Sequence, residues 1–137
     1  MLAEAISCNT TGDCDDAVAS EKAMLKFINR CGVDFHYLRQ KYLPRDLTRF
    51  VFDPVRKRMS TVIDLEDDEV DYTEFGYEKR LHVKGASEIV LDTCHAYLDE
   101  DGIKQPLDNY VRQELTALIG RYAKSALRTF AFAYKDL

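Results

Sequence analysis

One segment of the sequence combines residue types that can hold a ligand. Lys84-Gly85-Ala86-Ser87-Glu88 places a lysine and a glycine where a predicted strand meets a predicted helix. A glycine there lets a flat ligand approach the backbone, and a lysine supplies a cation in a partly dry pocket. As a bare pattern, the segment is more often a glycine turn beside a solvated lysine. Its context has to decide between the two interpretations.

The signatures of the commonest catalytic sites are absent from the sequence. It contains no GxxxxGK[ST], GxGxxG, HExxH or GxSxG pattern, so phosphate-loop, dinucleotide, zinc-protease and serine-hydrolase functions lack support. The four cysteines include no CxxC pair, which favours free thiols over disulfides or zinc. We assign no role to His36, His82 and His95, which lie far apart in sequence. We therefore expect no catalytic and no metal-binding residue in this chain.

Size and charge limit the number of domains and the classes of partner. With 137 residues, 46% of them hydrophobic, the chain is predicted to form a single domain over residues 1–137. The formal charge of -5 argues against nucleic acid, which requires a basic face. No run approaches the ~20 apolar residues that span a bilayer. We expect a soluble, cytosolic monomer, which is compatible with a piece of a membrane protein.

Hydrophobic periodicity predicts helices and strands in an order typical of the α+β class. Helices are predicted over residues 2–8, 17–31, 35–43, 86–94 and 108–122. Strands are predicted over residues 47–52, 59–65, 77–83 and 127–134, with a hairpin over 96–103. Residues 66–74 carry six acidic side chains in nine positions, which predicts a solvent-exposed loop.

Three of these elements also have a predicted orientation. Phe27 and Ile28 share the apolar face of the helix over 17–31 and are expected to point into the core. The strand over 77–83 alternates apolar and polar residues, which predicts one buried and one exposed face. The apolar run over 127–134 predicts a strand buried on both faces at the centre of its sheet.

Four sequence patterns supply the missing context. Phe52 precedes the stretch Arg56-Lys57-Arg58-Met59-Ser60, and the Lys-Gly-Ala box at 84–86 follows it. Leu127-Arg128-Thr129 opens the last predicted strand, and Ser20-Glu21-Lys22-Ala23-Met24 stands near the beginning of the chain. In this combination and order, the patterns resemble the nucleotide-binding (N) domain of P-type ATPases.

The resemblance extends over nearly the whole chain, from the Ile-Ser-x-Asn-Thr-Thr stretch at 6–11 to residue 137. Within the family, the segments 59–63 and 84–91 look more like those of plasma-membrane-type, autoinhibited calcium-transporting pumps than those of sodium or reticulum pumps. The resemblance implies an α+β fold with a largely antiparallel, twisted β-sheet flanked by helices. It also implies that this chain is a fragment of a larger membrane ATPase.

For the base of a bound nucleotide, the resemblance implies four site residues. Phe52 would stack on adenine, because an aromatic face binds any flat base by dispersion. Glu21 would accept a hydrogen bond from the adenine amino group. Lys84 would line the pocket beside the base, and Gly85 would let the ring approach.

For the phosphates, the resemblance implies two cations and a second domain. Lys57 would lie toward the phosphates, and Arg128 would meet the ribose or a phosphate through its fixed fork of donors. The aspartate nucleophile and the Mg²⁺ ligands of the family belong to another domain, whose Asp-Lys-Thr-Gly motif does not occur in this sequence.

The function implied is therefore ATP binding without catalysis. The chain would hold ATP with its Mg²⁺, present the γ-phosphate to the separate phosphorylation domain and release ADP. The phosphorylation and actuator domains of a cation pump, most similar to Ca²⁺ pumps, would be its partners at the cytoplasmic face of the membrane. The chief alternative is an interaction or regulatory module of an ATPase relative that no longer binds nucleotide. A small phosphotransferase would need a nucleophile and a metal site, which the acidic run does not provide.

Overall fold

A computed structural model describes residues 1–44, 47–65 and 77–137 of the chain. Its helices are α1 Leu2–Cys8, α2 Ala19–Arg30, α3 Phe35–Tyr42, α4 Ser87–Leu91 and α5 Asn109–Lys124. Its strands are β1 Arg49–Asp53, β2 Arg58–Asp64, β3 Lys79–Ala86, β4 Ala96–Leu98, β5 Lys104–Pro106 and β6 Phe130–Asp136. The predicted acidic loop at 66–74 lies outside the described residues.

Four of the strands form one antiparallel sheet in the order β1-β2-β3-β6, and β4 pairs with β5 in a separate hairpin. The predicted α+β class and the antiparallel sheet are confirmed. The hairpin turn contains Gly102 at φ 77°, a conformation that glycine adopts without steric cost. Helix α5 begins as predicted near Asp108, whose carboxylate caps it by accepting the Val111 N–H at 2.8 Å.

The position of β6 differs from the prediction. Its apolar run was expected at the centre of the sheet, but β6 lies at an edge and pairs only with β3 among the described strands. Helices α1 and α4 both contact β6, and Phe132 packs against the core formed around Leu25 and Ile28. Even so, six of its seven residues are only half-buried and none is buried, so the predicted burial on both faces was wrong as well.

The buried face of α2 is rotated from the predicted one. Its buried residues are Glu21, Leu25 and Ile28, whereas Phe27 is exposed. The prediction of Ile28 was right and that of Phe27 was wrong. A prediction from apolar residues alone leaves Glu21 out of the buried face. A carboxylate is buried only where a cation pairs with it, and this pairing is not visible in the local sequence.

The buried face of β3 carries charged and polar side chains. Arg80, His82 and Lys84 are buried, while the apolar Leu81 and Val83 on the other face are only half-buried. One face is more buried than the other, as the alternation predicts, but the polar residues occupy it. Helices α1 and α2 bring carboxylates onto this face, so its charges are paired in the interior.

Glu4 on α1 is the partner of two of these side chains. Its Oε1 accepts Arg80 Nη1 at 3.2 Å and lies 2.7 Å from His82 Nε2. Arg80 also pairs with Asp136 on β6. Burial raises the pKa of Glu4, but the hydrogen bonds and charges of His82 and Arg80 outweigh it and hold this pKa below its ordinary value.

The segment that follows α1 is hydrogen-bonded to three strands. The Asn9 amide donates to the backbone oxygens of Met59 at 3.3 Å and His82 at 3.4 Å, and its Oδ1 accepts the Thr61 hydroxyl at 2.9 Å. Arg49 Nη2 donates to the oxygen of Cys8 at 2.8 Å. These bonds anchor the end of α1 to the sheet and place the α1–α2 loop beside it.

We expect Glu4→Gln to lower the free energy of unfolding by about 3 kcal/mol, because the change removes the carboxylate from a buried ionic network. Glu114→Gln, at an exposed position of α5, is the matched control and should change it by less than about 0.5 kcal/mol. Urea unfolding at neutral pH measures both. Equal effects of the two variants would contradict a stabilising role of Glu4.

Candidate functional site

The strand register gathers the predicted ligand-binding residues at one end of the sheet. Asp53 pairs with Arg58, Arg58 pairs with Gly85, and Ala86 pairs with Phe130. This end therefore contains the last residues of β1 and β3 and the first residues of β2 and β6. Within two residues of these pairs lie Phe52, Lys57, Lys84, Gly85 and Arg128.

A β-bulge determines the side of the sheet on which Phe52 lies. Val51 and Phe52 of β1 together lie opposite Met59 of β2, which is two residues against one. Met59 is in turn the cross-strand partner of Lys84. Because side chains alternate along regular strands, the extra residue brings Phe52 to the side of the sheet that carries Lys84. Its ring is 55% exposed there.

Glu21 and Lys84 form a buried ion pair on this side. Each is 6% exposed, and Lys84 Nζ donates to Glu21 Oε1. The second oxygen of the carboxylate, Oε2, accepts the Thr11 backbone N–H at 2.9 Å and the Thr11 hydroxyl at 3.0 Å. The pair joins the first turn of α2 to β3 and so brings Glu21 to the end of the sheet described above.

The two partners of this pair differ in how well their charges are stabilised. Burial raises the pKa of Glu21, but Lys84 and the two Thr11 bonds lower it more, so this pKa lies below its ordinary value. Burial lowers the pKa of Lys84 and Glu21 raises it, but the Arg49 and Arg39 charges add to the effect of burial, so this pKa lies below its ordinary value. Lys84 therefore lies in the field of two further cations.

The missing side chain of Gly85 is explained by the turn between β1 and β2. A Cβ at this position would come within 2.9 Å of Arg58 Cα and closer still to the Lys57 oxygen. The same oxygen accepts the Ala86 N–H at 3.0 Å. Gly85 is therefore required where the turn rests on β3, and its role in admitting a base stays a prediction.

The two predicted phosphate-side residues are exposed. Lys57 lies in the turn at φ 51°, and Arg128 precedes β6. The Arg128 guanidinium makes no hydrogen bond or ion pair within residues 1–44, 47–65 and 77–137. Both side chains are accessible to a ligand, and their roles remain predictions.

An open cavity of about 520 Å³ lies elsewhere on the molecule. It is lined by residues of the α1–α2 loop, the end of α2 and the beginning of α3, among them Asp13, Cys14, Asn29, Asp34 and His36. None of the predicted ligand-binding residues lines it. The candidate site is therefore defined by strand register and by the buried pair, and it does not coincide with this cavity.

Residues 7–137 match the family described as P-type ATPase, cytoplasmic domain N. The chain belongs to this family. This confirms the predicted family, the N domain of P-type ATPases, and the α+β fold predicted for it. None of its helices in the described part of the chain is both long and apolar enough to cross a bilayer.

The domain N sequence is also similar to named calcium-transporting ATPases. Plasma membrane calcium-transporting ATPase mca-1 of Caenorhabditis elegans is 37% identical over 120 residues, which are 86% of this chain and 9% of the relative. Plasma membrane calcium-transporting ATPase 4 of Bos taurus is 36% identical over 119 residues, 85% of this chain and 9% of the relative. Calcium-transporting ATPase 2, plasma membrane-type, of Arabidopsis thaliana is 34% identical over 118 residues, which are 86% of this chain and 11% of the relative. The chain spans about a tenth of the length of these relatives.

Sequence reasoning missed two contributors to this site. Thr11 belongs to a stretch that resembles the family, but its bonds to Glu21 cross ten residues and have no local spacing signal. Arg49 stands near Phe52 in sequence, but only the folded chain brings its charge close to Lys84. His82 was given no role and supports α1 from within the sheet.

We expect Gly85→Ala to lower the free energy of unfolding by about 1–3 kcal/mol, because the new methyl group overlaps the turn backbone. Gly120→Ala is the matched control. A Cβ at Gly120, inside α5, has no neighbour within 4 Å among the described residues, so alanine should stabilise the helix by up to about 1 kcal/mol. Urea unfolding shows whether each variant lowers or raises the free energy of unfolding. A neutral Gly85→Ala would argue against the close contact.

Glu21 should give the unfolding free energy a specific pH dependence. Because its folded pKa lies below the ordinary value of 4.5, its carboxylate stabilises the fold above that pH, and this contribution is lost as pH falls through the folded pKa. Wild type should exceed Glu21→Gln in stability at neutral pH, and the difference should shrink in acid. Urea unfolding between pH 7 and pH 3 measures it. A difference that stays constant over this range would contradict the prediction.

Proposed function

We propose that residues 1–137 form one ATP-binding domain and that adenine binds beside the Glu21–Lys84 pair against the ring of Phe52. The observation that carries the proposal is the bulge in β1, which brings an exposed aromatic ring to the side of the sheet that holds this buried pair. The ring offers a stacking surface for a flat base. The carboxylate offers an acceptor for an exocyclic amino group.

The charge of the site supports an anionic ligand. Arg49 and Arg39 both act on Lys84, so cations surround the buried pair although the chain as a whole has a formal charge of -5. Arg39 is itself paired with Asp13 at 3.2 Å. We assign the phosphates to the exposed Lys57 and the ribose or a phosphate to Arg128. Gly85 would keep the backbone close to the base.

Mg²⁺ belongs to the bound nucleotide in this proposal. Among the described residues, no group of three His, Cys, Asp or Glu side chains is arranged to hold a metal ion. We therefore assign the protein ligands of Mg²⁺ to a separate phosphorylation domain. The metal would neutralise charge on the phosphates during transfer.

We further propose that the parent protein is a Ca²⁺-transporting pump, as the names of its relatives are. This domain would lie on the cytoplasmic face of the membrane, in contact with the phosphorylation and actuator domains. Rigid-body closure would present the γ-phosphate to an aspartate of the phosphorylation domain, and ADP would leave after transfer. The chain alone would bind ATP without hydrolysing it.

The test compares two aromatic residues of the same strand. Phe50 is 52% exposed and Phe52 is 55% exposed, but the bulge separates them onto opposite sides of the sheet. We expect Phe52→Ala to weaken ATP binding by about 1–3 kcal/mol through lost stacking, and Phe50→Ala to leave it within about twofold. Amide NMR shifts during titration with ATP, ADP and AMP, with and without Mg²⁺, measure affinity and location.

A second variant tests the phosphate side. Lys57→Ala should weaken ATP binding more than AMP binding, because the lysine is assigned to the outer phosphates. Equal effects of Phe50→Ala and Phe52→Ala would overturn the assignment of the base. The absence of shifts at millimolar nucleotide would favour an interaction module, and ATP turnover by the chain alone would contradict the division between two domains.

A further inference from the structure

We infer that Thr11 makes the site selective for a base with an amino group, such as adenine, over one with an oxo group, such as guanine. In this role it is a positioning residue, which acts through the orientation and ionisation of Glu21. The inference rests on the proposed function, since it concerns recognition of the base at the same site.

The hydrogen bonds of Thr11 leave one acceptor position on the Glu21 carboxylate. A carboxylate accepts at about four lone-pair positions, two on each oxygen. The backbone N–H and the hydroxyl of Thr11 both donate to Oε2, and Lys84 donates to Oε1. The remaining position is therefore on Oε1, next to Lys84 and on the side of the sheet that carries Phe52.

An ionised carboxylate distinguishes the two bases by the direction of hydrogen bonding. It accepts from the 6-amino group of adenine, whereas the 6-oxo group of guanine would face it with a lone pair. A protonated carboxyl would lose this distinction, because its O–H can donate to an oxo group. Burial of Glu21 favours the protonated form, whereas Lys84 and, to a smaller extent, the two Thr11 bonds favour the ionised form. Thr11 thus supports the charge state that discriminates.

Thr11 is held in place by the residues before it. Arg39 of α3 donates to the oxygen of Ser7 at 2.8 Å and to the hydroxyl of Thr10 at 2.9 Å. The Thr10 hydroxyl donates to the oxygen of Ile6 at 2.8 Å. Thr11 itself is exposed, so its hydroxyl can be removed without opening the core. This separates its effect on Glu21 from an effect on folding.

The test measures ATP and GTP affinities of wild type, Thr11→Val and Thr11→Ser. Valine keeps the shape of threonine and removes the hydroxyl that orients Glu21, so Glu21 should hold the adenine amino group less well. We expect ATP affinity to fall about five- to tenfold, which is the size of one ordinary hydrogen bond. GTP affinity should stay within about twofold of wild type. Serine restores the donor and should restore the ATP preference. A uniform loss of both affinities would indicate a merely structural role and would overturn the inference.

A second readout needs no nucleotide. The carboxyl ¹³C shift of Glu21, assigned with Glu21→Gln, should titrate at higher pH in Thr11→Val than in wild type. Wild type that binds neither ATP nor GTP would overturn the proposed function and this inference together. Wild type that binds both equally, or an unchanged Glu21 titration in Thr11→Val, would overturn the inference and leave the proposed function standing.

Discussion

The pairing of buried charges between β3 and the two helices above it is the constraint on which the rest of the fold depends. Each cation on the covered face of β3 requires a carboxylate, because an unpaired charge in the interior costs several kcal/mol. Glu4 of α1 pairs with Arg80, and Glu21 of α2 pairs with Lys84. Neither helix can slide along the strand without separating a pair. The pairs therefore fix both helices relative to the sheet.

The same constraint gives the candidate site two unlike halves. The half assigned to the base is built around the buried pair of Glu21 and Lys84, whose partners hold it in one arrangement. The half assigned to the phosphates consists of Lys57 and Arg128, which are exposed. This difference suits the proposed ligand, ATP, because its base would be held in a fixed position while its γ-phosphate stays accessible to another domain.

Local sequence patterns predicted most of the helices and strands, but they did not predict which faces of these elements are buried or where a strand lies in the sheet. The capped helix α5, the β4–β5 hairpin and the α+β class follow from short-range signals and are confirmed. The edge position of β6 and the buried face of β3 depend on contacts between distant residues, such as Glu4 with Arg80, which are 76 positions apart. The site shows the same division. Motif spacing predicted Phe52 and Lys84 as site residues, but the bulge that brings them to one side is a property of strand register.

The contact between Gly85 and the turn at Lys57 also has an evolutionary consequence. Only the backbone oxygen of Lys57 takes part, through the crowding at Gly85 and the bond from Ala86. The side chain at position 57 can therefore diversify among descendants without disturbing this contact. Any replacement of Gly85 adds a Cβ that pushes the turn away from β3. This contact alone therefore constrains the residue type at position 85 and leaves the side chain at position 57 to be constrained by its own conformation and by any ligand.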